Sequence, residues 1–485
     1  MSDVKSVLSD LESQGLVGEA GTQPIPPPSN PMAVARRLAR DLYTDHGKLL
    51  LRAHRGDFYR WNGTCWPEAE DRGVRGAMYE YLEEAVYERV TKDIIELVPW
   101  QPTRRKVDDV LDAFKAIAYL DGSIEPPSWL NGAPFDVPPV DEIVAMGNGL
   151  LHVPTRWLLE HIPDYFAHHS LPYEFDPEAP YPARWLQFLK EIWMDDEDSI
   201  STLQEICGYI IGGGTNQQKM FLLVGPKRSG KGTVGRILTG LLGRHNVASP
   251  TLAGMATNFG ISPLIDRPLA LVSDARLSSK ADTGIVVERL LSISGEDGLT
   301  IDRKYREPWT GRLPTRFMIL TNELPRLSDS SGALASRFVM LVLTRSWYGE
   351  ENPRLTTELL TEAPSILNWA LEGLDRLTER GYFKLPKSSA EAISQLEDLA
   401  SPMAAFLRER CKFEVEASVV VDTLWAAWKS WCEGQGVGPG TKAIFGRDLR
   451  AAAPLVRKVR PRDQGAGSHE YSGLRLLRED ESDGG

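Results

Sequence analysis

The sequence predicts an α/β core set between an α+β N-terminal domain and a small C-terminal domain of helices, a basic turn and a closing strand. Three observations carry that prediction. The stretch "FLLVGPKRSGKGTVGRIL", residues 221–238, places four apolar residues before a Gly-rich loop and an amphipathic run after it, so a short buried strand passes through a loop into a helix N-terminus. Two further apolar runs, Leu269–Val272 in "PLALVSDAR" and Phe317–Leu320 in "TRFMILTNELPRL", each lead into a polar residue. At 485 residues the chain is too long for one core, and length alone divides it into about three domains.

Taken in order, "TQPIPPPSNP" at 22–31 reads as an extended Pro-rich linker, which makes residues 1–31 a flexible tail. Residues 32–194 mix short strands with helical segments as the α+β domain. Within them, "NGT" at Asn62 reads as a hairpin turn between "FYRW" and "CW". His168 and His169 are adjacent, so their side chains point apart, and packing or surface roles are expected of them rather than metal ligation. Residues 195–400 hold the α/β core and a helical extension, with helical patterning from Ser365 to Leu399. Residues 401–485 contain "VVVDTLWAAWKSWCEGQG", "TKAIFGRDLRAA", a basic turn and "HEYSGLRLL". Helix, helix, basic wing and closing strand predict a winged helix-turn-helix.

Composition narrows the function classes. Apolar residues make up 42% and charged residues 25% of the chain, and no apolar run is long enough to cross a bilayer. The start "MSDVKSVLSDLESQG" is polar and acidic, unlike a secretion signal, so residence in the cytoplasm, without a membrane partner, is expected. Cys65, Cys207, Cys411 and Cys432 lack C-x-x-C spacing, which argues for reduced thiols rather than a zinc site. A net charge of −12 opposes nucleic-acid binding by the whole surface, but charge is segregated: Lys442 to Arg462 carries seven basic residues against one acidic, and "DRKYREPWTGRLPTR" is also basic.

The loop itself has a chemistry. Gly225, Pro226, Lys227, Arg228, Ser229, Gly230 and Lys231 complete the pattern G-x-x-x-x-G-K. Its glycines let backbone N–H groups face inward, the helix dipole adds positive potential, and Lys231 reaches the β- and γ-phosphates of ATP. Gly232 stands where Ser or Thr is usual, so the hydroxyl for Mg²⁺ is expected from Thr233. Asp274, at the carboxyl end of the Leu269–Val272 run, is the expected metal acid. Ser273 stands beside it where a second carboxylate often lies, which leaves the water-activating base open; Glu288, Glu296 and Asp297 are the other candidates for the metal acid. Asn322, just past the third run, suits a γ-phosphate sensor or a holder of the attacking water. Arg337 in "SGALASRFVML" suits a finger reaching a neighbouring subunit's nucleotide, with structural ion pairing as the alternative.

Gly225–Thr233, Asp274, "SGEDGLTIDRKYREPW", Asn322 and Arg337, within little more than a hundred residues, resemble the motifs of superfamily 3 helicases, ring-forming AAA+ ATPases of viruses, phages and plasmids. The resemblance implies an AAA+ type core and a hairpin between the metal acid and the sensor Asn that projects a Lys into a central channel. Lys304 matches that position, and Tyr305 beside it either stacks on a base or packs under the hairpin. The aromatic-rich 145–193 block and the terminal "WAAWKSWCEGQG…FGRDL…YSGL" further resemble the phage and plasmid branch of poxvirus-type primase-helicases, over most of residues 40–480. Paired primase acids on a strand and a His-x-His nuclease motif are missing, so the chain reads as the helicase portion without priming activity.

The expected function is therefore an ATP-dependent DNA helicase for phage, prophage or plasmid replication, working in the bacterial host cytoplasm. It would form a homo-hexamer, translocate on single-stranded DNA, and work beside a separate primase or initiator. Arg447, Arg450, Arg457, Lys458 and Arg460 are expected to hold duplex DNA. The alternative is an initiator or loader in which ATP switches assembly and no strand is unwound.

Overall fold

The computed structural model describes residues 23–91, 94–132, 137–194, 196–273, 275, 283–325, 327, 333–460 and 469–477. The chain divides into two compact units, one ending at Phe175 and one beginning at Asp176.

The first unit opens with helix α1, Pro31–Tyr43, capped by Asn30, whose side chain accepts from the Ala33 N–H. Strands β1 (Leu51–His54), β2 (Asp57–Arg60) and β3 (Glu68–Ala69) form an antiparallel sheet. Between β2 and β3, Asn62 Oδ1 accepts from the N–H groups of Thr64 and Cys65 (both 2.9 Å) and Gly63 takes φ +100°, the turn expected of "NGT". Helix α2 (Asp71–Glu83), the hairpin β4 (Val86–Thr91) and β5 (Ile94–Pro99), helix α3 (Arg104–Ala118) and the antiparallel strands β6 (Ile143–Ala145), β7 (Leu150–His152) and β8 (Trp157–Leu159) follow. The apolar faces of α1, α2 and α3 close on Leu51, Phe58 and Trp100 as one core. His168 stacks on Tyr59, 4.1 Å between ring centres, as the packing reading expected. Among the described residues no group of His, Cys, Asp and Glu is arranged to hold a metal ion.

The Pro-rich segment behaves differently from a free linker. Ile25 is buried, its N–H donates to Val86 O (2.9 Å), and Pro26 O accepts from the Trp100 indole (3.2 Å). An extended Pro-rich chain leaves its backbone polar groups open, and here the Val86 carbonyl takes up the Ile25 N–H while the Trp100 indole N–H takes up the Pro26 carbonyl. Residues 1–22 lie outside the described residues.

The second unit begins with helices α4 (Ala183–Trp193) and α5 (Glu197–Ile211). The sequence boundary at 194/195 assigns α4 to the N-terminal domain, whereas the structure draws the division earlier. Trp193 Nε1 donates to Val342 O (2.9 Å), and the Arg184 and Trp185 N–H groups are capped by the Glu362 carboxylate (3.0 and 2.9 Å). The central sheet is formed by β9 (Met220–Val224), β10 (Val247–Ala248), β11 (Leu269–Val272), β14 (Arg316–Thr321) and β15 (Phe338–Val342), in the order β10-β11-β14-β9-β15. Every pairing is parallel. "MFLLV", "LALV", "RFMILT" and "FVMLV" are almost wholly buried, the continuous apolar runs that a sheet covered on both faces requires. Helix α6 (Lys231–Leu242) follows β9, and α7 (Thr283–Ser294) precedes a hairpin of β12 (Leu299–Arg303) and β13 (Arg306–Gly311).

Short helices α8 (Ala333–Ser336) and α9 (Leu355–Leu360) flank β15 and its following segment, and α10 (Ala363–Arg380) lies along α5. Gly208 and Gly373 let these two helices touch: a Cβ on Gly208 would stand 2.2 Å from Ala370 O, and one on Gly373 2.6 Å from Gln204 backbone. Arg376 and Arg380 close on the buried Glu205 carboxylate beside that contact. Arg316 is buried at the start of β14 and donates to Ile210, Gly213 and Pro314 carbonyls, so a cation fills the orphaned end of α5. Burial pulls its pKa down to about 10.

Helix α11 (Ala390–Ala400) leads to the last region, which runs α12 (Pro402–Arg410), β16 (Cys411–Val420), α13 (Val421–Gln435), α14 (Lys442–Ala452), β17 (Arg457–Val459) and β18 (Glu470–Leu476). The strands form one antiparallel sheet, β16-β18-β17, over a core of Phe406, Leu424, Trp428, Phe445, Leu449 and Leu474. α12 and β16 extend the predicted helix, helix, strand pattern at its front. The four cysteines are free and buried, and burial raises the Cys411 and Cys432 thiols to about 12 and about 11.

Candidate functional site

Parallel strands put all their carboxyl ends on one edge of the sheet, where the crevice of an open α/β sheet binds its ligand. Val224 pairs with Thr321 on one side and Val342 on the other, and Val272 pairs with Ile319. The loop Gly225–Gly230, Ser273 and Asn322 therefore leave the sheet along the same edge. Asp274, the expected metal acid, lies outside the described residues. Asn322 follows the end of β14 directly, half-buried, beside a turn in which Thr321 Oγ1 donates to Glu323 O (2.6 Å).

The loop is tightly built. Gly225 has no room for a side chain, since a Cβ there would lie 2.3 Å from Leu343 O. Gly230 takes φ +99° at the N-cap of α6, a conformation that favours glycine. Lys231 is buried, and its Nζ donates to Gly225 O (2.6 Å), Pro226 O (2.7 Å) and Ser229 Oγ (3.0 Å). Those acceptors are neutral, and burial pulls the ammonium down to about 8. A desolvated cation with neutral partners, beside a helix N-terminus, suits an anion with several oxygens.

Thr233 is the third residue of α6, buried, with its hydroxyl accepting from Arg236 NH2 (3.1 Å), while Arg236 Nε donates to Thr356 Oγ1 (3.0 Å). A guanidinium on that oxygen disfavours a divalent cation there, so Thr233 fits Mg²⁺ only with Arg236 displaced.

Arg337 stands at the opposite edge, immediately before β15. Phe338 pairs with Met220, so about six residues, roughly 20 Å, separate Arg337 from its own loop. Its guanidinium donates to Leu291 O (3.1 Å) and Ser294 Oγ (3.0 Å) at the end of α7. Arg337 therefore lies beyond reach of the Gly225–Gly230 loop of its own chain, and both earlier alternatives, action on a neighbour or a structural role, fit this place. Lys219 Nζ lies beside it on Ser336 O (2.6 Å), its pKa lowered by burial and then by the Arg337 charge.

Lys304 and Tyr305 form the tip of the β12–β13 hairpin, between Arg303 and its partner Arg306. Both are exposed, Tyr305 by 94%, so packing under the hairpin is not what its ring does. Tyr305 takes φ +61°, uncommon for an aromatic residue, and Lys304 Nζ lies 5.2 Å from its ring centre. In the last region Arg447 and Arg450 are exposed on α14, and Arg457, Lys458 and Arg460 are exposed on and after β17. Arg447 Nε also bonds its neighbour Asp448 (3.0 Å). Residues 461–468, the expected wing, lie outside the described residues.

Sequence reasoning missed the residues that hold the loop from outside: Leu343, Ser346, Trp347 and Glu351. Ser346 Oγ donates to Lys227 O (2.8 Å), the Trp347 N–H to Arg228 O (2.9 Å), and Glu351 pairs with Arg228 (3.2 Å). These contacts bridge more than a hundred residues, and the aromatic in "TRSWYGE" was the sole local signal.

Comparison with known proteins meets this geometry in two places. Residues 36–194 match a domain family described as "D5 N terminal like", and residues 223–337 match a family of unknown function, DUF5906. The second match spans the loop, the hairpin, Asn322 and Arg337. Among solved structures, the A form apo structure of the NrS-1 C-terminal region aligns with TM-score 0.51 at 12% identity, covering 92% of this chain and all of that one. A further apo structure of that region aligns with TM-score 0.50 at 12% identity, over 87% and 94% of the two chains. At such identity the likeness concerns the fold. Domains of the two matched kinds are typical of phage and viral primase-helicases, and the chain is thus similar, in both of its units, to proteins of phage replication.

Proposed function

We propose that the protein is an ATP-driven DNA helicase of phage, prophage or plasmid replication, with an AAA+ type core that works as a ring. The observation that carries this reading is the buried Lys231 ammonium, held by neutral loop acceptors at the carboxyl edge of an all-parallel sheet. That site is built for phosphate oxygens before any arrive. On binding, Lys231 exchanges loop carbonyls for β- and γ-oxygens, and the loop N–H groups with the α6 dipole hold the rest of the chain of phosphates. Asn322, at the end of the adjacent strand, orients the attacking water or reads the γ-phosphate. Asp274, and Thr233 once Arg236 moves aside, would hold Mg²⁺, whose contribution when bound would be to neutralise the charge that develops on the phosphate oxygens.

Arg337 lies too far from its own loop to act there, which favours action on a neighbouring subunit and hence the ring, proposed to be a homo-hexamer. Its bonds to the Leu291 carbonyl and the Ser294 hydroxyl of α7 must then be exchanged for phosphate contacts at the interface. The hairpin tip is suited to a strand passing the ring: Lys304 offers one charge and Tyr305 an exposed π-face, a combination that grips single-stranded DNA without reading its sequence. The last region, as a winged helix, offers α14 and the basic β17 edge to duplex DNA. That basic face also favours a second reading, an initiator or loader with no unwinding. Strand displacement on a forked duplex separates the two: the helicase releases the strand with ATP and Mg²⁺, and the initiator binds it without releasing it.

A further inference from the structure

Between β15 and α9 runs the segment Leu343–Glu351, which belongs to none of the motifs above. It lies against the outer turn of the nucleotide loop. The Leu343 N–H donates to Val224 O (2.7 Å), Ser346 Oγ to Lys227 O (2.8 Å), and the Trp347 N–H to Arg228 O (2.9 Å). Glu351 pairs with the Arg228 guanidinium (3.2 Å). Trp347 is half-buried, and the Arg345 guanidinium lies 3.6 Å from its ring centre, with its NH2 3.9 Å from Glu350.

The residue gripped most closely, Arg228, has φ +60°, a left-handed conformation that a residue with a side chain rarely adopts. Something must hold it there. In a trans peptide the C=O and the following N–H point in opposite directions. With Lys227 O and Arg228 O drawn outward to the segment, the N–H groups of Arg228 and Ser229 are turned the other way, toward the side on which a phosphate cradle needs its donors. The outward bonds thus set the inward donors.

We propose that Leu343–Glu351 is a strap belonging to the nucleotide site, and that Ser346 and Trp347 are positioning residues that fix the donor directions of the loop. Arg345 and Glu351 hold the strap in place, one through the Trp347 ring and one through Arg228. The proposal rests on the nucleotide-binding reading above and deepens it: affinity for ATP is set partly by residues that touch no phosphate.

The test is steady-state ATP hydrolysis by the full-length protein. Ser346→Ala, which removes the side-chain bond to Lys227 O, should raise KM for ATP roughly tenfold, the scale of one lost hydrogen bond with its preorganisation; Trp347→Ala keeps the N–H bond to Arg228 O but takes away the ring on which Arg345 packs, and should raise KM several-fold, with kcat at saturating ATP retained in both. Trp347→Phe, which keeps a ring for Arg345, should restore the parent KM. Thermal unfolding of each variant reports whether it folds, and if Trp347→Ala does not, Ser346→Ala and Arg345→Ala carry the same expectation. A parent KM in the folded Ser346→Ala and Trp347→Ala or Arg345→Ala proteins overturns the strap, as does a fall in kcat with KM unchanged. Lys231→Ala, run beside them, keeps the two readings apart. If it hydrolyses ATP like the parent, the nucleotide site itself is misassigned; if it is inactive while the strap variants behave as parent, the strap alone is wrong.

Discussion

Lys231, the first residue of α6, and Lys304, at a hairpin tip, belong to the same unit, and the structure treats them in opposite ways. Lys231 is buried on three acceptors of its own loop, with its pKa drawn down to about 8. Lys304 is exposed at a hairpin tip, its ammonium resting 5.2 Å from the Tyr305 ring centre. A desolvated cation is costly to keep unless an anion arrives, so under the proposed function the first lysine would await a ligand that fits one place. A solvated cation gives a weak, reusable grip suited to a polymer that slides past. Under the proposed function the same residue type would serve chemistry at one site and traction at the other, and the difference lies in burial.

The largest effect expected from breaking this contrast is on the buried side. Lys231→Ala should reduce ATP hydrolysis to background while thermal unfolding stays cooperative, because the loop is held from outside by Leu343–Glu351 and not by the lysine alone. Next is Arg337→Ala, which should lower hydrolysis by about 10³-fold or more, as arginine fingers do. Mixing it with Lys231→Ala should recover activity at mixed interfaces, where each chain supplies what the other lacks. No recovery in verified mixed rings would leave Arg337 as the cap of α7.

On the exposed side, Lys304→Ala should keep basal hydrolysis and lose both DNA stimulation and unwinding. Unwinding at the parent rate would remove the hairpin from the mechanism and make the two lysines' contrast irrelevant to DNA. The pH dependence sharpens the comparison further. The free site holds Lys231 protonated only below about pH 8, whereas bound phosphate requires the charge. The apparent Kd for ATP should therefore be flat below pH 8 and rise about tenfold per unit above it. An apparent Kd unchanged up to pH 10 would mean that the ammonium is not desolvated. Smallest is the effect in the last region: Arg450→Ala or Arg457→Ala should each lower the salt slope of duplex binding by about one, read from titrations of the full-length protein.

How much of this the sequence carried depends on the range of the contacts. The strand, loop and helix around Gly225–Lys231 are local, so the apolar run, the glycines and the lysine spell them out; strand β11 falls at Leu269–Val272 as read, and Phe317–Leu320 lies inside β14. The β12–β13 hairpin was reached through family resemblance, since "LTIDRKYREPWTG" alternates too weakly to declare a tip. What the sequence hid is long-range. Nothing near Glu362 announces that its carboxylate caps α4, and nothing near Arg316 says that it closes α5. The prolines at 26–28 suggested a free linker because their own neighbourhood contains no partner; the partners, Val86 and Trp100, come sixty and more residues later. Ser346 and Trp347 escaped for the same reason.

Strand displacement by the unmodified protein on a forked DNA duplex tests the central claim most directly, with ATP hydrolysis followed in the same tube. The account predicts release of the displaced strand that requires ATP and Mg²⁺, together with hydrolysis that rises when single-stranded DNA is added. Hydrolysis of ATP and binding of the fork without release of either strand would contradict it, and would assign the buried lysine to a switch for assembly.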